Sequence, residues 1–152
     1  MRLIAILLLA AASLSAQSWK ALEFLLGNWT GAAGEKDTQI GAGQGEFSFT
    51  LDLDSKIIVR RNSARYTSGV AHDDLLIVYT EGATRAIYFD TEGHVIHYNV
   101  RVPGENRAVF ESDGTPKYRL TYWLDHGSLN GRFEIADKPY MTWISKRSPA
   151  KK

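Results

Sequence analysis

Beyond residue 27 the apolar side chains of this 152-residue chain recur at every second position, in short segments broken by glycine, proline and aspartate. Phe47, Phe49, Leu51 and Leu53 alternate with Glu46, Ser48, Thr50 and Asp52, as a strand with one wet face requires. Asp54 and Ser55 supply a turn, and residues 56–67 run back. Segments 75–80, 84–90 and 94–102 follow, separated by Glu81-Gly82 and by Thr91-Glu92-Gly93, which read as hairpin turns. Segments 106–112, 118–124, 128–136 and 140–146 complete the series, with breaks at 103–104, 113–116, 125–127 and 137–139.

Strands joined only by tight turns form an antiparallel meander, which either stacks as a sandwich or closes on itself. Closure removes the exposed edges that invite aggregation, and no long crossing connection of the sandwich kind is visible. The expected fold is therefore all-β: an antiparallel up-and-down barrel of about ten strands behind a short helix. The helix is expected over 18–26, where Ser18 can cap and Trp19, Leu22, Leu25 and Leu26 share a face. Gly27 ends it. The glycine-rich stretch 35–45 reads as a flexible portal loop.

Met1 and Arg2, an apolar run over 3–14 and the small-residue exit Ser15-Ala16-Gln17 read as a cleaved signal peptide over 1–16. The run is about a dozen residues, short of the roughly 20 that span a bilayer. The barrel domain is assigned to 17–147 and a basic tail to 148–152. Localisation is expected to be periplasmic or secreted. The chain has no cysteine, so its fold stands without disulfides and excludes thiolate metal sites, thiol catalysis and a lipid on a leader cysteine. Of 18 basic residues one, Arg2, lies in the leader, against 17 acidic residues overall. A formally neutral domain lacks the field that nucleic acid or anionic lipid binding uses. The expected partner is a small hydrophobic or amphipathic molecule. No integral membrane segment is expected after signal cleavage, and the chain is read as a monomer or weak dimer.

Gly27, Asn28 and Trp29 after a short helix, the meander, and Arg147 at the close of the last strand together resemble the calycin β-barrels. The likeness is to the lipocalins and to the ten-stranded fatty-acid-binding and nitrobindin-like branches. The stretch 86–98, with Tyr88, Phe89, Asp90, Gly93, His94, Val95, Ile96, His97 and Tyr98, is also similar to bacterial exported members of unassigned function. The resemblance implies that Trp29 and Arg147 pack together and shut one end of the barrel, a cation–π contact of about 0.5–2 kcal/mol. That role is structural, so it implies fold rather than activity. Nitrobindin-like relatives hold haem through a histidine late in the chain, whereas 140–147 has none here and His126 alone lies beyond His97. No cofactor is expected, with haem on His72 or His97 as the alternative.

Taking the more apolar face of each strand as inward places Phe47, Phe49, Ile96, Tyr98, Val100, Ala108, Phe110, Tyr118, Leu120, Tyr122, Leu129 and Phe133 inside. The candidate ligand-contacting residues are Phe49, Tyr88, Tyr98, Phe110, Tyr122, Phe133 and His97. Rings with a few hydroxyl tips suit a largely apolar ligand carrying one or two polar groups; the alternative is that they simply fill the barrel.

No metal site is assigned. His94 and His97 stand three apart and so point to opposite faces of a strand. A turn over 91–93 would set Asp90 opposite His94 and Tyr88 opposite Ile96, with His97 on the other side. His72 with Asp73 and Asp74 reads as solvated turn chemistry or a cation site. Among Arg60, Arg61 and Arg65, the last two share a face, either solvated or anchoring a carboxylate inside. No nucleophile elbow, phosphate loop or dinucleotide fingerprint is present, and no catalytic residue is assigned. The enzymatic alternative is an isomerase or hydratase barrel using Tyr88, His97 or Tyr122 as acid or base.

Overall fold

The computed structural model describes residues 18–149. The assigned leader and the last three residues of the tail lie outside that range. Ten strands form one sheet: β1 (Gly27–Ala33), β2 (Gly43–Asp52), β3 (Ile57–Tyr66), β4 (Ala71–Glu81), β5 (Ala83–Asp90), β6 (Val95–Gly104), β7 (Arg107–Glu111), β8 (Tyr118–Asp125), β9 (Ser128–Ile135) and β10 (Lys138–Ser148). Each pairs antiparallel with the next, and β1 pairs with β10 to close the barrel. Among the described residues no helix is long and apolar enough to cross a membrane.

Turn chemistry sets the two ends. At the base the two residues between β8 and β9, His126 and Gly127, both have positive φ (46° and 77°), the left-handed pair that matches the twist of a tight hairpin. The base also carries the turns at 53–56, 82 and 105–106. The mouth is formed by the connections 34–42, 67–70, 91–94, 112–117 and 136–137.

The N-terminal helix is shorter and tighter than expected. It is a single 3₁₀ segment, Lys20–Leu25, and Trp19 rather than Ser18 stands at its N-cap, with no side-chain cap. Burial explains this: Trp19 is 6% exposed and its indole donates to Ser55 O at 2.8 Å, fixing the chain before a capped α-turn can form. Leu22, Phe24 and Leu25 are buried from this segment. They cover the base of the barrel together with Phe49, Ile58, Val78 and Phe110.

The expected portal loop is only partly a loop. Its last three residues belong to β2, and its first three form a 3₁₀ turn, Glu35–Asp37. Thr38 bridges to Met141 of β10, and the Thr67 hydroxyl donates to Glu35 Oε1 at 3.1 Å. The connection is thus a strap tied to both sides of the mouth. The last strand extends to Ser148, which pairs with Asn28, so the tail begins one residue later than assigned.

Candidate functional site: the upper half of the barrel

The barrel is solid below and hollow above. Edge-to-face rings fill the lower half: Phe49 meets Tyr122 with centroids 5.4 Å apart, Tyr122 meets Phe110 at 6.2 Å, and Phe110 meets Tyr98 at 6.3 Å. Phe49, Phe110 and Tyr122 are each at most 1% exposed, and none of them lines the cavity above. These three, expected to contact a ligand, form its support instead. The reason is their distance from the mouth: the 3₁₀ segment seals the base, and the large rings leave no space at that level.

Above them lies a cavity of about 460 Å³, in the range of small-molecule sites. Its apolar walls include Phe47, Tyr98, Tyr118, Phe133, Tyr140 and Trp143. Small residues make the room. At Gly131 and Gly43 an added Cβ would collide with the rings of Trp143 and Tyr66, which occupy the space a side chain would need. Of the residues expected to contact a ligand, Tyr88, Tyr98 and Phe133 line this space.

His97 does not. It is exposed, because its neighbours Ile96 and Tyr98 face inward and alternation sends it outside. The three residues weighed as acid or base are therefore scattered: Tyr88 in the cavity, Tyr122 beneath it and His97 on the outer surface.

One wall of the cavity is polar, and sequence reasoning largely missed it. Leu76 and Val78 point inward on β4 and are fully buried; the same alternation carries Asp74 and His72 inward. On β3, Ile58 does the same for Arg60 and Asn62. The 71–74 stretch is strand and not turn, and Arg60, not Arg61 or Arg65, is the interior arginine at 6% exposure. Arg61 and Arg65 share the outer face as expected.

Asp74 is the hub. It accepts from Arg60 Nη1 at 2.5 Å and from Asn62 Nδ2 at 2.8 Å, and its Oδ2 lies 3.1 Å from His72 Nε2. Burial works against its ionisation, but Arg60 and the hydrogen bonds from His72 and Asn62 outweigh that and hold its carboxyl below the usual range. His72 Nδ1 lies 3.0 Å from Glu92 Oε2. With a carboxylate at each ring nitrogen, the imidazolium form is favoured, the Asp74 hydrogen bond being the largest cause. Tyr88 Oη lies 3.0 Å from the same Nε2. Burial, then Asp74, push the Tyr88 phenol well above its ordinary value, so it serves as a hydroxyl and not as a tyrosinate base. Burial likewise raises Tyr122 to about 12.

At the rim Asp90 accepts from the His94 backbone at 2.9 Å and meets His94 Nδ1 at 2.8 Å. Tyr88 pairs with Ile96 across β5 and β6, as the assumed 91–93 turn requires. His72, Asp90 and Glu92 bring one ligand atom each within 4.8 Å of one another. In that trio His72 Nδ1 is taken by Glu92, which makes it a hydrogen-bonded cluster. A haem in the lumen fits these residues poorly, since His97 lies outside and both nitrogens of His72 face carboxylates.

Arg147 and Trp29 sit at the base. They are direct cross-strand partners, and the guanidinium carbon lies 4.4 Å from the indole centroid. Arg147 Nη1 also donates to Leu26 O at 2.9 Å, and Trp29 Nε1 to Leu25 O at 2.8 Å.

No protein-family model matches the chain, and no curated protein matches it. The closed ten-stranded antiparallel barrel is compatible with a calycin-like fold.

Proposed function

We propose that this chain is an exported, lipocalin-like binding protein that holds one small, largely apolar molecule in the upper half of its barrel. The observation that carries the reading is a 460 Å³ space walled by aromatic rings on most sides and by one hydrogen-bonding patch on the β3–β4–β5 wall. Apolar walls supply affinity through burial, and a few fixed polar groups orient the ligand. The leader-like segment over 1–16 supports passage to the periplasm or beyond. A neutral domain acting as a monomer or weak dimer, with no cofactor of its own, suits a carrier or scavenger.

Native mass spectrometry of the purified protein tests this directly. The expected result is a co-purifying small molecule at one per chain, or stoichiometric uptake of an apolar dye. A barrel that carries nothing and takes up no dye ends the proposal.

A further inference from the structure

The polar wall carries an inference about the head group of the ligand, and it rests on the binding role proposed above. Arg60 lines the cavity, yet among the described residues only one of its N–H groups, on Nη1, has a hydrogen-bond acceptor. Its Nε is buried and without a partner. A guanidinium carries five N–H donors, so this one, 94% buried, has donors unspent at the inner face of the site. Beside it, the protonated His72 Nε2 gives its hydrogen to Asp74 and has no lone pair left to accept from Tyr88 Oη, 3.0 Å away, which leaves the phenol proton free to donate. The Tyr98 hydroxyl, also on the cavity wall, has no hydrogen-bond partner among the described residues. The wall is therefore rich in donors.

It has no positive charge to spare. Asp74 neutralises Arg60, and Glu92 and Asp74 flank His72. Counting the whole lining, Arg60 and His72 stand against Asp74, Asp90 and Glu92, and His94 at the rim adds a charge only when protonated. A carboxylate entering this space would meet donors, but also a fixed carboxylate at the same guanidinium, in surroundings where like charges repel strongly. The rings add to this, because their faces present negative potential.

We propose that the ligand of this cavity presents a neutral carbonyl to Arg60 and Tyr88, and that Asp74 excludes the corresponding carboxylate. Asp74 is a specificity-determining residue on this account: it fixes Arg60 as a donor while cancelling its charge.

A matched pair of probes tests the inference, 2-acetylnaphthalene against 2-naphthoate, which differ by a methyl in place of an ionised oxygen. Binding is read at pH 7.5 by quenching of tryptophan fluorescence and by calorimetry. The ketone is expected to bind at least about tenfold more tightly than the acid. In Asp74→Asn, where Arg60 keeps a hydrogen-bond partner but loses its counter-charge, the preference is expected to shrink or reverse. Equal or tighter binding of naphthoate to the wild-type protein overturns the proposal, and that comparison stands whether or not the variant folds. An unchanged preference in a folded Asp74→Asn protein overturns the role given to Asp74. Failure of both probes alongside uptake of an apolar dye overturns the head-group assignment and leaves the container role standing. Failure of probes and dye together removes both.

Discussion

Arg60 and Asp74 face one another across β3 and β4 inside the barrel, Nη1 to Oδ1 at 2.5 Å, with side chains 7% and 3% exposed. Two charges so placed lose their hydration, and their attraction offsets that loss only while both are present. Removing one leaves the other buried and unpaired. Arg60→Met and Asp74→Leu, each alone, are therefore expected to cost about 3–5 kcal/mol of folding stability. The double replacement Arg60→Met with Asp74→Leu is expected to cost far less, or to stabilise. Urea unfolding of the two single variants and the double closes the cycle, and equal losses for single and double variants would contradict the pairing.

His72 ties stability to pH. Its folded pKa is raised above about 6.5 by Asp74 and Glu92, so the stability it contributes is fully present below about pH 6.5 and fades as pH rises through the folded value. Asp74, with a depressed folded pKa, acts in the opposite sense: its contribution is present above about pH 4 and is lost as pH falls through its folded value. The stability advantage of wild type over His72→Gln should thus be greatest between these limits and decline toward pH 8. A difference that does not vary from pH 5 to 8 rules out an ionised His72.

At the base, Gly27 has φ +123°, and an added Cβ there would stand 2.5 Å from Arg147 Nη1. Arg147→Ala is expected to cost about 0.5–2 kcal/mol through the lost contact with Trp29. Gly27→Ala is expected to cost about 1–3 kcal/mol from backbone strain. Because the clash needs Arg147, the double variant should cost less than the sum of the two singles. Strict additivity in thermal or urea unfolding would mean the glycine is required for its φ alone.

Gly131 backs Trp143, a residue of the cavity wall, so closely that an added Cβ would collide with the indole ring. A side chain there must push the indole away. Gly131→Val is expected to destabilise the fold by about 1–3 kcal/mol and to shift tryptophan emission. It should also weaken uptake of any apolar probe. A folded variant with unaltered emission and unaltered uptake places Trp143 elsewhere.

Much of the barrel was legible because backbone pairing enforces period 2 whenever one face is wet. Phe47, Phe49 and Phe110 on one side and Glu46, Ser48 and Thr50 on the other announce their strands without any knowledge of neighbours. Short turns between them foretold closure. The polar wall was less legible, since His72, Asp73 and Asp74 look like a turn in composition. A signal was nevertheless present: counting back by twos from Leu76 gives Asp74 and His72, and counting forward from Ile58 gives Arg60. What sequence cannot supply is the register that brings Arg60 to Asp74, and so tells a satisfied interior ion from an impossible one. Depth along the axis was equally hidden. Alternation placed Phe49, Phe110 and Tyr122 inside but could not say that a 3₁₀ segment and close-packed rings fill that level, leaving the hollow to Tyr88, Tyr98 and Phe133. His97 shows how firmly alternation rules, since Ile96 and Tyr98 on either side of it line the cavity while it stands on the outer surface.

The central claim, a ligand held in the upper hollow, is tested most directly by filling that hollow. Ala64 points into it from β3 and is 7% exposed. Apolar dye titration of wild type and Ala64→Trp, both verified as folded by circular dichroism, is the measurement. One saturable site in wild type and none in the filled variant is the expected result. Undiminished saturable binding in a folded Ala64→Trp protein would place the ligand outside the barrel and contradict the account.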